Sequence, residues 1–130
     1  MKRLGSLGAL TALLFTTLIF AGPPAQAAWF TNLTTHGAKA QTCKVSIDRG
    51  TRLKVRVNNR KGTQRVAVFL RRVDANYREK EIVWLRVPKG EVSMTKSLVL
   101  TKKQRRKGHS FQIGTKDFGG DAGGSLTPRC

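Results

Sequence analysis

The sequence predicts an all-β protein: a small antiparallel β-sandwich of six to seven strands, immunoglobulin-like or similar, with a small β-barrel as the alternative. Three observations carry that expectation. Apolar residues alternate with polar ones from Cys43 onward, which is the period of a strand with one buried face. Turn-forming clusters interrupt the alternation at short, near-regular intervals. No window carries a sustained helical period.

The elements follow in order. "WFTNLTT" near residue 30 and "CKVSI" at 43–47 are the weaker strand candidates. In "RLKVRVN", Leu53, Val55 and Val57 share one face and Arg52, Lys54 and Arg56 the other. In "RVAVFLR", Val66, Val68 and Leu70 oppose Arg65, Ala67, Phe69 and Arg71. "EIVWLRVP" is apolar on both sides, with Val83, Leu85 and Val87 against Ile82 and Trp84; Trp84 is expected to fill the core. "EVSMTKSLVL" offers Val92, Met94, Leu98 and Leu100, and "SFQIG" adds Phe111 and Ile113. Turn signals stand at 48–50, 58–62, 74–76, 88–90 and 107–108. The tail "GGDAGGSLTPRC" is glycine-rich and reads as flexible, held at its cysteine.

A hairpin turning at "NNRKGT" would give pairing partners whose numbers sum to 121. Val55 then faces Val66 and Leu53 faces Val68, so the apolar faces agree. The same register sets Arg56 opposite Arg65, Lys54 opposite Ala67 and Arg52 opposite Phe69, a continuous cationic face around one aromatic.

Residues 1–27 read as a signal peptide. Lys2 and Arg3 precede an uncharged apolar run, a Gly-Pro-Pro break follows, and Ala25, Gln26 and Ala27 have the small-x-small pattern of a cleavage site. The secreted chain would start at Ala28. A retained anchor is disfavoured because the run is short for a spanning helix. The 130 residues less those 27 leave 103, one compact domain. Losing Lys2 and Arg3 takes the net charge from +18 to +16. Such an excess attracts polyanions.

Two cysteines remain, Cys43 and Cys130. An oxidising compartment makes a disulfide between them the natural expectation. No ligand pair has zinc-site spacing, so neither metal nor cofactor is expected.

These features predict a secreted, extracellular cationic module, a monomer, that attaches to an acidic polymer or anionic cell surface. It would be antimicrobial if that surface belongs to another cell. The expected polyanion-binding residues are Arg52, Lys54, Arg56, Arg65 and Arg71 with Phe69 for stacking, and a mobile basic loop of Lys102, Lys103, Arg105, Arg106 and Lys107. Extracellular nucleic-acid binding is the nearest alternative. A small hydrolase or ribonuclease would need His36 or His109 to meet each other or a carboxylate such as Glu79, Glu81 or Glu91. An inhibitor of an acidic enzyme is the third alternative. No nucleophile elbow or phosphate loop is present, so no catalytic residue is assigned.

Overall fold

The computed structural model describes residues 28–130; the segment read as a signal peptide lies outside the described residues. Two four-stranded antiparallel sheets pack face to face. The first holds, in spatial order, β1 (Phe30–Thr35), β2 (Ala38–Ile47), β3 (Gly50–Asn58) and β6 (Lys96–Thr101). The second holds β5 (Glu79–Val87), β4 (Val66–Val73), β7 (Ser110–Gly114) and β8 (Gly119–Ala122). The sheets remain separate, so the fold is a sandwich and not a barrel.

The alternation read from the sequence sets the core. Leu53, Val55, Val57, Leu98 and Leu100 of the first sheet meet Val66, Val68, Leu70, Leu85, Val87, Phe111 and Ile113 of the second. These side chains are almost wholly removed from water. At roughly 1.5–3 kcal/mol for each large apolar side chain, they form the main favourable term.

The expected hairpin between 52–57 and 65–71 does not form. β3 pairs with β2 and β6, while β4 pairs with β5 and β7. The "NNRKGT" segment is a crossover between the sheets, and Asn59 explains it. Its side chain is fully buried, and its Nδ2 donates toward the carbonyls of Gln64, Val87 and Pro88 at 2.9, 3.1 and 3.0 Å. Its backbone N–H donates to Glu91 O at 2.8 Å. Asn59 thus ties the crossover to the β5–β6 connection. A Cβ on Gly62 would lie 1.6 Å from Asn59 Oδ1, so only glycine fits there.

After the crossover, β4 and β5 form a hairpin, β6 returns beside β3, and β7 crosses to lie beside β4. The interlocked pairs β3–β6 and β4–β7 are an arrangement shared with immunoglobulin-like sandwiches.

Three other segments depart from the sequence reading. His36 and Gly37 both have positive φ, 48° and 79°, and make a two-residue turn between β1 and β2. The basic loop contains a short helix, α1 (Lys102–Arg106). Thr101 Oγ1 accepts from the Gln104 N–H, and Gln104 Oε1 accepts from the Thr101 N–H, a reciprocal cap. The glycine-rich tail supplies β8, paired with β7 from Phe111 to Gly114.

The chain then returns to the first sheet. Lys44 N–H donates to Pro128 O at 2.9 Å, Cys130 N–H donates to Lys44 O at 3.0 Å, and Cys43 is bonded to Cys130. The expected disulfide is therefore present, and it fastens the end of the chain to β2.

Candidate polyanion-binding surface

The expected site residues divide between two opposite surfaces. On β3, Arg52, Lys54 and Arg56 point away from the core, because Leu53, Val55 and Val57 between them are buried. Their neighbours across the ladders are uncharged: Val45, Cys43 and Gln41 on β2, and Val99 and Ser97 on β6. The four strands of the first sheet contain no Asp or Glu at all. Arg56 is fixed in place. Its Nε donates to Gln41 Oε1 at 3.1 Å, and its guanidinium lies 4.3 Å from the centre of the Trp29 ring. Partial burial, and then the charge of Arg60, pull its pKa below the usual arginine value.

The basic helix adjoins one end of this row. Gly50 pairs with Thr101, and Lys102 N–H donates to Arg49 O at 2.7 Å, so α1 begins beside the β2–β3 turn. Arg105 is anchored to β3, donating to Thr51 Oγ1 at 2.8 Å. Lys102, Lys103, Arg105, Arg106 and the capping Lys107 are all exposed. The expected mobile loop is thus a capped turn of helix docked on the sheet that carries the cationic row.

Phe69 and Arg71 face the other way, from the outer side of the second sheet. Phe69 is only 7% exposed, so its ring offers little face for stacking with a ligand. Trp84 meets it edge-on at 5.4 Å, and the Arg71 guanidinium lies 5.0 Å from its centre. Trp84 therefore belongs to this outer cluster and not to the core between the sheets. Arg71 is engaged further, donating twice to Gln112 Oε1 at 3.0 and 2.8 Å and pairing with Glu79 at 3.7 Å. Arg65 stands exposed in the crossover, apart from both groups.

The histidines sit at separate places. His36 lines a shallow cleft of about 200 Å³ with Arg65, Lys116 and Asp117. His109 Nδ1 lies 2.7 Å from Arg72 Nη1, and Arg72 pairs with Glu81 at 3.8 Å. Among the described residues neither imidazole is hydrogen-bonded to a carboxylate. No group of three His, Cys, Asp or Glu residues converges there to hold a metal.

Sequence reasoning missed Trp29 and Gln41, which hold Arg56, and Lys44, which enters a cavity at the end of the sandwich. Lys44 shares the parity of the buried Thr42 and pairs with the buried Leu53, a placement that only the β2–β3 register reveals. Comparison with protein-family models, curated proteins and solved structures finds no match.

Proposed function

We propose that this protein is a secreted cationic binding module that attaches to an acidic polymer or anionic cell surface through the outer face of its first sheet and the adjoining α1. One observation supports this above the others: Arg52, Lys54 and Arg56 form a row in a sheet whose strands contain no acid. Alternate residues of a strand recur about every 6.8 Å, so the row presents cations at even spacing to a linear polyanion. The stack on Trp29 and the bond to Gln41 order one guanidinium before any ligand arrives, which lowers the entropy lost on binding. The disulfide suits an extracellular setting. Attachment to the surface of another cell would make the module antimicrobial.

The test measures binding to teichoic acid, heparin, single-stranded DNA and anionic liposomes at two salt concentrations. Salt-sensitive binding that Arg52→Ser with Arg56→Ser weakens supports the reading. A salt-resistant one-to-one complex with a single acidic protein, unaffected by those changes, would replace it with the inhibitor reading.

A further inference from the structure

The open end of the sandwich beside α1 holds a cavity of about 510 Å³ between the two sheets. Three cations reach it from three separate elements: Lys44 from β2, Arg105 from α1 and Arg129 from the C-terminal tail. No Asp or Glu lines it. Two of these cationic side chains already make hydrogen bonds. Lys44 Nζ donates to Gly124 O at 3.4 Å, and Arg105 donates to Thr51 Oγ1 at 2.8 Å. The disulfide at Cys130 fixes the residue next to Arg129.

His109 also lines the cavity, and its partner sets its chemistry. A guanidinium only donates hydrogen bonds, so Arg72 Nη1 requires His109 Nδ1 to accept. The neutral ring then carries its proton on Nε2, adding a further donor. Leu100 and Phe111 supply an apolar wall.

We infer that this cavity binds the terminal phosphomonoester of a polyanionic chain. The inference rests on the polyanion reading for the source of that chain. A sheet face contacts a polymer along its length, whereas a cavity accepts one unit of it. A phosphomonoester carries about 1.5–2 negative charges at neutral pH and three acceptor oxygens, which suit a cavity lined by three cations and no acidic side chain. A carboxylate or sulfate monoester brings one charge and would leave the cations under-compensated. The volume is within the roughly 300–1,000 Å³ usual for small-ligand sites. It exceeds what a phosphate group fills, and the apolar wall takes the carbon skeleton beside it.

The test titrates the disulfide-bonded protein with glycerol 3-phosphate, inorganic phosphate and glycerol at about 0.15 M salt, followed by NMR. Glycerol 3-phosphate should saturate one site, shift the His109 and Ser110 signals and leave Trp29 unmoved. Inorganic phosphate should bind at least about threefold more weakly, and glycerol not at all. Lys44→Met with Arg129→Ser should weaken glycerol 3-phosphate at least about tenfold, and Arg52→Ser with Arg56→Ser should leave it unchanged. Equal affinity for inorganic phosphate, or shifts that map to Trp29, overturns the inference even if the cavity variant fails to fold. So does a folded cavity variant that binds as well as the original protein.

Closed circular single-stranded DNA, which has no phosphomonoester end, separates the two readings. If it fails to bind, as do heparin and anionic liposomes, while glycerol 3-phosphate saturates, the surface reading falls and the cavity stands. If it binds through Arg52 and Arg56 while glycerol 3-phosphate does not bind, the cavity falls alone.

Discussion

The outer faces of the two sheets both carry arginine, yet the surroundings of that arginine differ. On the first sheet, Arg52, Lys54 and Arg56 face Val45, Cys43, Gln41, Val99 and Ser97, with no acid on any strand. On the second, Arg71 meets Glu79, Gln112 and the Phe69 ring. Every ion pair among the described residues, Arg71–Glu79, Arg72–Glu81 and Lys80–Asp74, lies within the β4–β5 hairpin or its turn. Each has a solvent-exposed partner and an N···O distance of 3.4–3.8 Å, so each contributes only about 0–1 kcal/mol. Their larger consequence is local: they cancel field that would otherwise attract an anion. The net charge therefore says little about where a polyanion would bind, and the placement of the few acids says more.

The tail joins the two faces, since it leaves β8 in the second sheet and ends on β2 in the first. Breaking this link has the largest expected effect. Cys130→Ser should cost about 2–5 kcal/mol, with the chain-entropy model at the upper end for a loop spanning 87 residues. Thermal unfolding without reductant measures it. Hydrogen exchange should quicken first at the Lys44 and Cys130 amides, which the docked tail protects. A variant that melts with the original protein would show that β8 pairing alone holds the tail.

Binding provides the next contrast. Arg52→Ser with Arg56→Ser should weaken polyanion affinity about tenfold or more near physiological salt, and reduce the slope of log affinity against log salt by roughly 1.4–1.8. Arg71→Ser with Lys80→Ser removes the same formal charge from groups already paired with Glu79 and Asp74. It should change affinity by no more than about twofold. Equal losses from the two double variants would abolish the distinction between the faces and leave a diffuse charge as the only attraction.

This contrast was half legible in the sequence. Strand parity was readable because burial imposes it directly: Leu53, Val55 and Val57 are inside, and Arg52, Lys54 and Arg56 are outside. Parity assigns a residue to a face but not a strand to a sheet. Two strands of one sheet and two strands facing each other across a core obey the same alternation. The hairpin register between Val55 and Val66 was therefore consistent and still wrong. What decided it was Asn59, a polar residue inside a turn-like segment, whose buried amide reaches carbonyls far along the chain. Long-range satisfaction of that kind leaves no local pattern. β8 was hidden for the opposite reason: Gly119 and Gly120 lack side chains to alternate, and their pairing comes from the β7 backbone they meet. The Arg56 stack on Trp29 joins residues whose proximity depends on β1 folding beside β2.

Stability gives a smaller contrast. Arg71→Ser removes the cation over Phe69 and the two bonds to Gln112, so it should cost about 1 kcal/mol. Arg52→Ser, which loses no hydrogen bond or ion pair found in the structure, should stay within about 0.5 kcal/mol. Denaturant midpoints at equal slope compare them. A larger cost for Arg52→Ser would mean that the first face is built for the fold and not left open for a ligand.

The smallest effect concerns Asp74, whose carboxylate organises the turn of the paired hairpin. Its Oδ1 accepts from the N–H groups of Arg78 and Asn76 at 3.0 and 2.9 Å, and Lys80 Nζ lies 3.4 Å from Oδ2. The Arg78 N–H acts most strongly, burial opposes it next, and the Asn76 N–H and Lys80 add to the lowering, so its pKa lies below the usual aspartate value. Because the folded value is the lower one, the folded chain binds the proton less readily than the unfolded chain does. The resulting stabilisation is present above the unfolded aspartate value, about 3.9, and is lost as pH falls through the folded value beneath it. The first sheet has no acid on its strands and so no counterpart to this loss. Melting temperatures of the original protein and Asp74→Ala should differ most above about pH 5 and converge as the pH falls well below 3.9. A difference that persists unchanged at low pH would show that Asp74 acts through its shape in the turn, and that its charge contributes nothing to the second face.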